Sequence, residues 1–143
     1  MRHYFSAFIT SVILFFTPLI PIMISVGLMT IIDTYFGVKA SKKKGIPFSS
    51  RLLRKGWVSK NISYQSCLIL TFIIDNLIIN EFVSIHFSMP FLTTKLLAIM
   101  LILIEFSSIN ESSQVLYKKS FSQIIKEQIK NIFNIKSELD KLK

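Results

Sequence analysis

The sequence contains few of the residues that build catalytic or metal-binding sites. Cys67 is the only cysteine, so an intramolecular disulfide is excluded. The two histidines, His3 and His86, are isolated, and no group of His and Cys residues has the spacing of a metal site. Glycine is rare, and no Gly-rich loop is present that would bind a phosphate group. We therefore expect a protein that is not an enzyme and that uses no cofactor or metal.

Acidic residues are also scarce. Eight Asp and Glu residues stand against 17 Lys and Arg residues, which gives a formal net charge of +9. Such a charge is compatible with nucleic acid, but Lys and Arg are equally expected beside membrane spans. We favour a membrane surface with anionic headgroups as the partner, and we expect no nucleic acid.

The apolar residues form long runs rather than periodic stripes. They make up 51% of the 143 residues, and the runs cover about residues 4–35, 62–82 and 91–109. A span needs about 20 apolar residues, so each run can cross a bilayer. The sequence predicts an all-α integral membrane protein with two to three, at most four, transmembrane helices. Its membrane domain would cover residues 1–116.

The first run has no charge from residue 4 to residue 32, and it is too long for a cleaved signal peptide. Pro18 and Pro21 each remove a backbone donor, so a kink or break is expected near them. One interpretation has an interfacial helix over residues 4–16 and a span over residues 18–35; the other has one kinked helix. We favour the break, because Pro fits the first turn of a helix. The side of the membrane that holds the N-terminus stays open.

Residues 37–60 carry many cations and no acid, and we predict a basic loop there. A short loop of this kind stays in the cytoplasm under the positive-inside rule, although a merely solvated loop is the alternative. Ser49 or Ser50 can cap a short amphipathic helix that begins at Arg51 and carries Trp57 as an anchor at headgroup level. The residues expected to set topology or contact headgroups are Lys42, Lys43, Lys44, Arg51, Arg54, Lys55, Trp57 and Lys60.

Acids in or beside apolar runs are the other candidate functional residues, since an ionised side chain inside a bilayer is costly and usually faces other helices or water. We expect these acids to lie at polar contacts within the membrane or between subunits, paired with Lys95 or with residues of neighbouring copies. The alternative is that Asp75 only reaches the outer interface and that Glu105 ends an ordinary helix. The candidates are Asp33, Asp75, Glu81, Glu105 and Glu111.

Residues 117–143 form a polar, basic tail, which we expect to be cytoplasmic. Its apolar residues recur at spacings that fit a helix, and they fit either a heptad seam or a helix lying on the membrane. The seam positions are Phe121, Ile125, Gln128, Ile132, Ile135, Leu139 and Leu142. An amphipathic helix is predicted in both cases.

Two blocks of residues carry a family resemblance. The first block consists of Asp33, Gly37, Lys44, Ser49, Ser50, Gly56, Lys60 and Asp75. The second is EFSSINES at residues 105–112. In their order they resemble the bacteriophage holin family that also includes the toxin-secretion holins. That family has an acid and a Gly, a Lys-rich segment, a Ser pair, a Gly and Lys before a span, an acid at its end, and Glu-x-x-Ser-Ile-x-Glu near the last span. Phe36 departs from the Thr that commonly precedes the Gly.

The resemblance covers about residues 30–115 and implies a function. Proteins of that family are multi-pass proteins of the bacterial inner membrane that form homo-oligomers and permeabilise the membrane, so that an endolysin lyses the host cell. The alternative is a structural or scaffolding membrane subunit that its basic C-terminal helix recruits into a larger assembly. A transporter is disfavoured, because two or three spans leave no room for an inverted repeat in one chain.

Overall fold

The computed structural model describes residues 2–83, 85 and 89–141, which contain helices and no strand. In chain order they form α1 (Arg2–Phe16), a 3-10 turn (Thr17–Leu19), α2 (Ile20–Lys43), α3 (Ser50–Ile74), a π-helical turn (Asp75–Ile79), α4 (Asn80–Val83), α5 (Leu92–Tyr117) and α6 (Phe121–Lys141). Within these residues, three helical stretches are long and apolar enough to cross a membrane: His3–Lys43, Leu53–Val83 and Leu92–Tyr117. The prediction of an all-α membrane protein is confirmed.

The predicted break in the first apolar run is present. The 3-10 turn Thr17–Leu19 contains Pro18, and Pro21 lies in the first turn of α2, where its missing N–H leaves no intrahelical bond unmade. At 1.5 Å per residue, His3–Lys43 would measure roughly 60 Å as one straight helix, about twice the hydrocarbon thickness of a bilayer. α2 alone is therefore long enough to span, and it continues to Lys43 rather than ending near Tyr35.

The predicted basic loop over residues 37–60 is wrong in extent. α2 includes Lys42 and Lys43, and α3 begins at Ser50, so only residues 44–49 are non-helical. Lys, Arg, Ala and Leu favour helix, and a run of cations alone does not end one. Gly45 ends α2: it has φ 75°, and the N–H groups of Gly45 and Ile46 donate to the carbonyls of Lys42 and Ser41.

α2, α3 and α5 pack against one another as a three-helix bundle. At one end the ring of Phe72 in α3 lies 4.9 Å from that of Phe91, just before α5, and 5.9 Å from that of Phe16, just before the 3-10 turn. At the other end Lys43 of α2 donates to the carbonyl of Leu116 in α5. α2 and α5 are therefore parallel, and α3 is antiparallel to both. We call these the aromatic end and, because it carries residues 42–51, the basic end.

The apolar core lies toward the aromatic end. Its buried members are Leu19, Val26, Leu68, Phe72, Ala98 and Leu101. The outer surface of the bundle is apolar as well, with side chains such as Leu70, Met100 and Leu103 at 60% exposure or more. Exposed apolar side chains in this number need a nonpolar solvent, as the bilayer provides.

α6 is the predicted amphipathic C-terminal helix, and it begins right after α5 ends at Tyr117. The ring of Phe121 packs edge-on against Phe36 (5.5 Å) and Phe106 (5.7 Å), and the Phe121 N–H donates to Oδ1 of Asn110. These contacts tie the start of α6 to α2 and α5 near the basic end. Leu142 and His86 lie outside the described residues.

Candidate functional site: an ionic cluster inside the bundle

Each helix of the bundle turns one stripe of residues inward, and polar side chains interrupt each stripe. In α5 the buried residues recur every three or four positions: Thr94, Ala98, Leu101, Glu105, Ile109 and Ser113. In α2 they are Val26, Thr30, Asp33 and Ala40. The spacing is that of one face of an α-helix, so the positions of Asp33 and Glu105 direct both carboxylates into the bundle.

Lys60 of α3 connects these two carboxylates. Its Nζ atom donates to Oδ2 of Asp33 at 2.9 Å and lies 2.6 Å from Oε2 of Glu105. Glu105 is fully buried and Asp33 is 9% exposed, whereas the Lys60 side chain is 31% exposed. Asp33, Lys60 and Glu105, here called the ionic cluster, thus link all three helices of the bundle.

The charges of the ionic cluster are not balanced one to one, since two carboxylates share a single ammonium. Oδ1 of Asp33 and Oε1 of Glu105 are buried and accept no hydrogen bond in the described part of the chain. The Tyr64 side chain, one turn from Lys60, lies beside Glu105. Because buried charges are stable only when paired, the Lys60 ammonium is the group on which both carboxylates depend.

The ionic cluster lies at one level of the bundle. Asp33 and Lys60 are each ten residues from the ends of α2 and α3 at the basic end, and Glu105 is twelve residues from the end of α5. These separations correspond to roughly 15–18 Å along the helices, about half the thickness of the hydrocarbon layer.

A second polar contact lies nearer the aromatic end. Asp75 is fully buried, and its Oδ2 atom accepts from the Thr94 N–H at 2.8 Å and from the Thr94 hydroxyl at 2.9 Å. Thr94 is in the first turn of α5, where backbone N–H groups have no partner within the helix. Asp75 therefore caps α5 from the π-helical turn. Asp75 thus lies inside the bundle at the level of the first turn of α5.

Gln65 supplies a further link between α3 and α2. Its Nε2 atom donates to the carbonyl of Met23 at 3.1 Å and to Oδ1 of Asn61 at 3.2 Å. Gln65, Tyr64 and Thr94 were not among the predicted site residues. Tyr64 is four residues from Lys60 and Thr94 is eleven residues, three helical turns, from Glu105, so each shares an inward face with a predicted residue, and this periodicity is the signal that could have identified them. Gln65, five residues from Lys60, has no such signal.

The predicted acids fall into two groups. Asp33, Asp75 and Glu105 lie inside the bundle, while Glu81 and Glu111 are exposed. Among the described residues the buried three pair with Lys60 and Thr94 of the same chain rather than with Lys95, and contacts with other subunits stay a prediction. The reason is that the same inward face of each helix carries both the core residues and these acids.

The residues predicted to contact headgroups also fall into two groups, one exposed at the basic end and one partly buried. Lys42, Lys43, Lys44, Arg51, Arg54 and Lys55 are exposed around the basic end. Lys60 is corrected, because α3 carries it into the ionic cluster rather than into a loop. Trp57 is half-buried, and its indole N–H is buried without a hydrogen-bond partner among the described residues, so it does not present that group to headgroups in this structure.

Comparisons with known proteins give no relative: no family model matches the chain, and neither a curated protein nor a solved structure is detectably similar to it.

Proposed function

We propose that the chain is a holin-type protein, which oligomerises in the bacterial inner membrane and permeabilises it so that an endolysin can lyse the host. One observation carries the proposal. Asp33 and Lys60 belong to the first block of the holin resemblance and Glu105 begins the second, and these residues meet within 2.9 Å of Lys60 Nζ. The two blocks are far apart in the sequence, and their side chains form one ionic contact in the bundle. This contact is a physical reason for both blocks to occur in the same chain.

The proposal places the basic end in the cytoplasm. The cations of residues 42–55 surround that end and no acid occurs between residues 37 and 60, which is the pattern of a segment retained inside under the positive-inside rule. The C-terminal end of α5 and the start of α6 lie at the same end of the bundle, so the basic tail would be cytoplasmic too.

In this proposal the ionic cluster holds the accumulating form of the chain together. The contacts between copies then involve the outward apolar side chains of the helices and α1, whose residues 3–14 are exposed. Helix association in membranes relies on packing and on small or polar residues, and α1 offers Ser6, Thr10 and Ser11 for such contacts. The chain has no catalytic role.

Controlled expression in bacteria tests the function. The wild-type chain should depolarise the inner membrane abruptly after a delay, and with a co-expressed endolysin the culture should lyse. Lys60→Met and Asp75→Leu should shift the onset of depolarisation, while Lys130→Gln, a charge change at an exposed position outside both blocks, should leave it unaltered. Cells that tolerate membrane-inserted wild-type chain without any change in potential would refute the proposal.

One observation favours the scaffolding alternative. The apolar side chains of α6 over residues 125–135 are exposed, with Ile132 at 64% and Phe133 at 66%. A scaffolding subunit would bind its assembly through this face and would be tolerated by cells that lack the assembly. The same expression experiment separates the two functions.

A further inference from the structure

A cavity of about 310 Å³ lies at the basic end, between the C-terminal turns of α2 and the N-terminal turns of α3. Residues 46–49 of the connection form one of its sides. Its volume is at the lower limit of the roughly 300–1,000 Å³ typical of small-molecule sites. It is separate from the ionic cluster, since none of the three cluster residues lines it.

Two glycines leave the space open. Gly37 of α2 and Gly56 of α3 both line the cavity, and no atom lies within 4 Å of the position that a Cβ would take at either residue. Neither has a positive φ, so neither glycine is required by the backbone. The helices do not approach each other closely at these residues; the glycines instead leave unfilled space.

The lining combines apolar walls with one cation. Val38, Phe48 and Leu53 contribute apolar surface, and Lys42 contributes its ammonium. Lys42 Nζ lies 5.2 Å from the centre of the Phe48 ring, a cation–π contact that holds both groups at the cavity. The flanking cations include Lys43, Lys44 and Arg51, and no acid occurs among residues 37–60.

We propose that this cavity binds one anionic phospholipid, with the phosphate at Lys42 and the first acyl carbons against Phe48 and Leu53. An anionic occupant fits best, because Lys42 is the one charged residue among the described residues of the lining. It must also be partly apolar, because a fully hydrated phosphate ester would leave the apolar wall exposed to water. The cavity is at the ends of two membrane-spanning stretches, where phospholipid headgroups meet acyl chains. The proposal does not depend on the holin function.

Trp57 provides the measurement, because it is the only tryptophan of the chain and follows Gly56 directly. The full chain is reconstituted in phosphatidylcholine vesicles in which an increasing mole fraction is replaced by brominated phosphatidylglycerol or by brominated phosphatidylcholine. Bromine quenches tryptophan only at short range. We expect half-maximal quenching at a several-fold lower mole fraction of the brominated phosphatidylglycerol.

Matched variants separate a bound lipid from diffuse attraction to a basic surface. Gly37→Leu fills the cavity and should abolish the preference for phosphatidylglycerol, whereas Ser25→Leu, at an exposed position of the same helix, should retain it. Lys42→Gln should lower the preference by about fivefold or more, the equivalent of one cation at the membrane surface or above. Lys55→Gln removes the same charge outside the cavity and should have a smaller effect.

Three results would overturn the proposal. The preference could survive in Gly37→Leu that retains wild-type helicity, or Lys55→Gln could reduce it as much as Lys42→Gln does. Finally, sn-glycerol 3-phosphate or an acidic peptide added in solution could displace the brominated lipid, which would identify a soluble occupant. With the lipid as the occupant, neither competitor changes the quenching.

Discussion

The Lys60 ammonium lies 2.6 Å from the Glu105 carboxylate, and this carboxylate is completely buried. Lys60 also binds Asp33, so one side chain of α3 contacts an acid on each of the other two helices of the bundle. The ionic cluster is thus the principal polar contact at its level.

Removal of the Lys60 ammonium should destabilise the bundle strongly. Lys60→Met leaves two buried carboxylates without a cation, and breaking such a buried pair costs about 3–5 kcal/mol. Unfolding of the purified chain in mixed micelles of increasing SDS content, followed by circular dichroism, measures the change. Lys55→Met, which removes an exposed cation five residues away in the same helix, should change the free energy of unfolding by only about 0.5 kcal/mol or less.

A double variant should recover part of that loss. In Lys60→Met/Glu105→Leu one of the two unpaired carboxylates is gone, so the double variant should be more stable than Lys60→Met alone. The same SDS titration gives the comparison. Additive destabilisation by the two substitutions would show that the side chains do not act as a pair.

The Asp75–Thr94 contact should stabilise the start of α5. Asp75→Leu removes the acceptor of two buried hydrogen bonds, a loss of about 0.5–1.5 kcal/mol for each. Thr94→Val keeps the backbone N–H bond and should cost less. Hydrogen exchange at the first turn of α5 should speed up in Asp75→Leu and remain slow in Glu111→Leu, which changes an exposed acid in the same helix.

Gly45 and Gly37 should respond in opposite directions to alanine. Gly45 has φ 75°, so Gly45→Ala forces a Cβ into a left-handed conformation and should destabilise by about 1 kcal/mol. Gly37 is inside α2 with open space around it, and Gly37→Ala should stabilise by up to about 1 kcal/mol. Equal effects of the two substitutions in the SDS titration would contradict this assignment of roles.

The sequence was sufficient to predict some features, and the reason is local in each case. Pro18 and Pro21 predicted the break before α2, since proline acts on its own turn of the backbone. The apolar runs predicted the spanning stretches, and the helical spacing of the apolar residues in 121–135 predicted α6. These signals need only nearby residues, so they are readable without knowledge of tertiary contacts.

Lys60 is an example of a residue whose contacts local sequence signals do not predict. A lysine next to a basic run was assigned to a loop, although it lies four residues from Tyr64 and eight from Leu68 on the inward face of α3. The helical periodicity of these residues was enough to predict that Lys60 lies on the inward face of α3. Its partners could not have been found in this way, because they depend on how α2 and α5 are aligned against α3, and 27 and 45 residues separate Lys60 from Asp33 and Glu105.

The two polar contacts also determine how the helices are aligned along their axes. Apolar side chains surrounded by acyl chains give little preference between one vertical offset and another a turn away, since lipid is as apolar as the neighbouring helix. A shift of one turn, about 5.4 Å, would separate Lys60 from Glu105 and Asp75 from Thr94. These pairs lie roughly 16 Å apart along α5. A single contact would fix the offset of the helices but still let them pivot about that contact, whereas two contacts prevent both sliding and rotation.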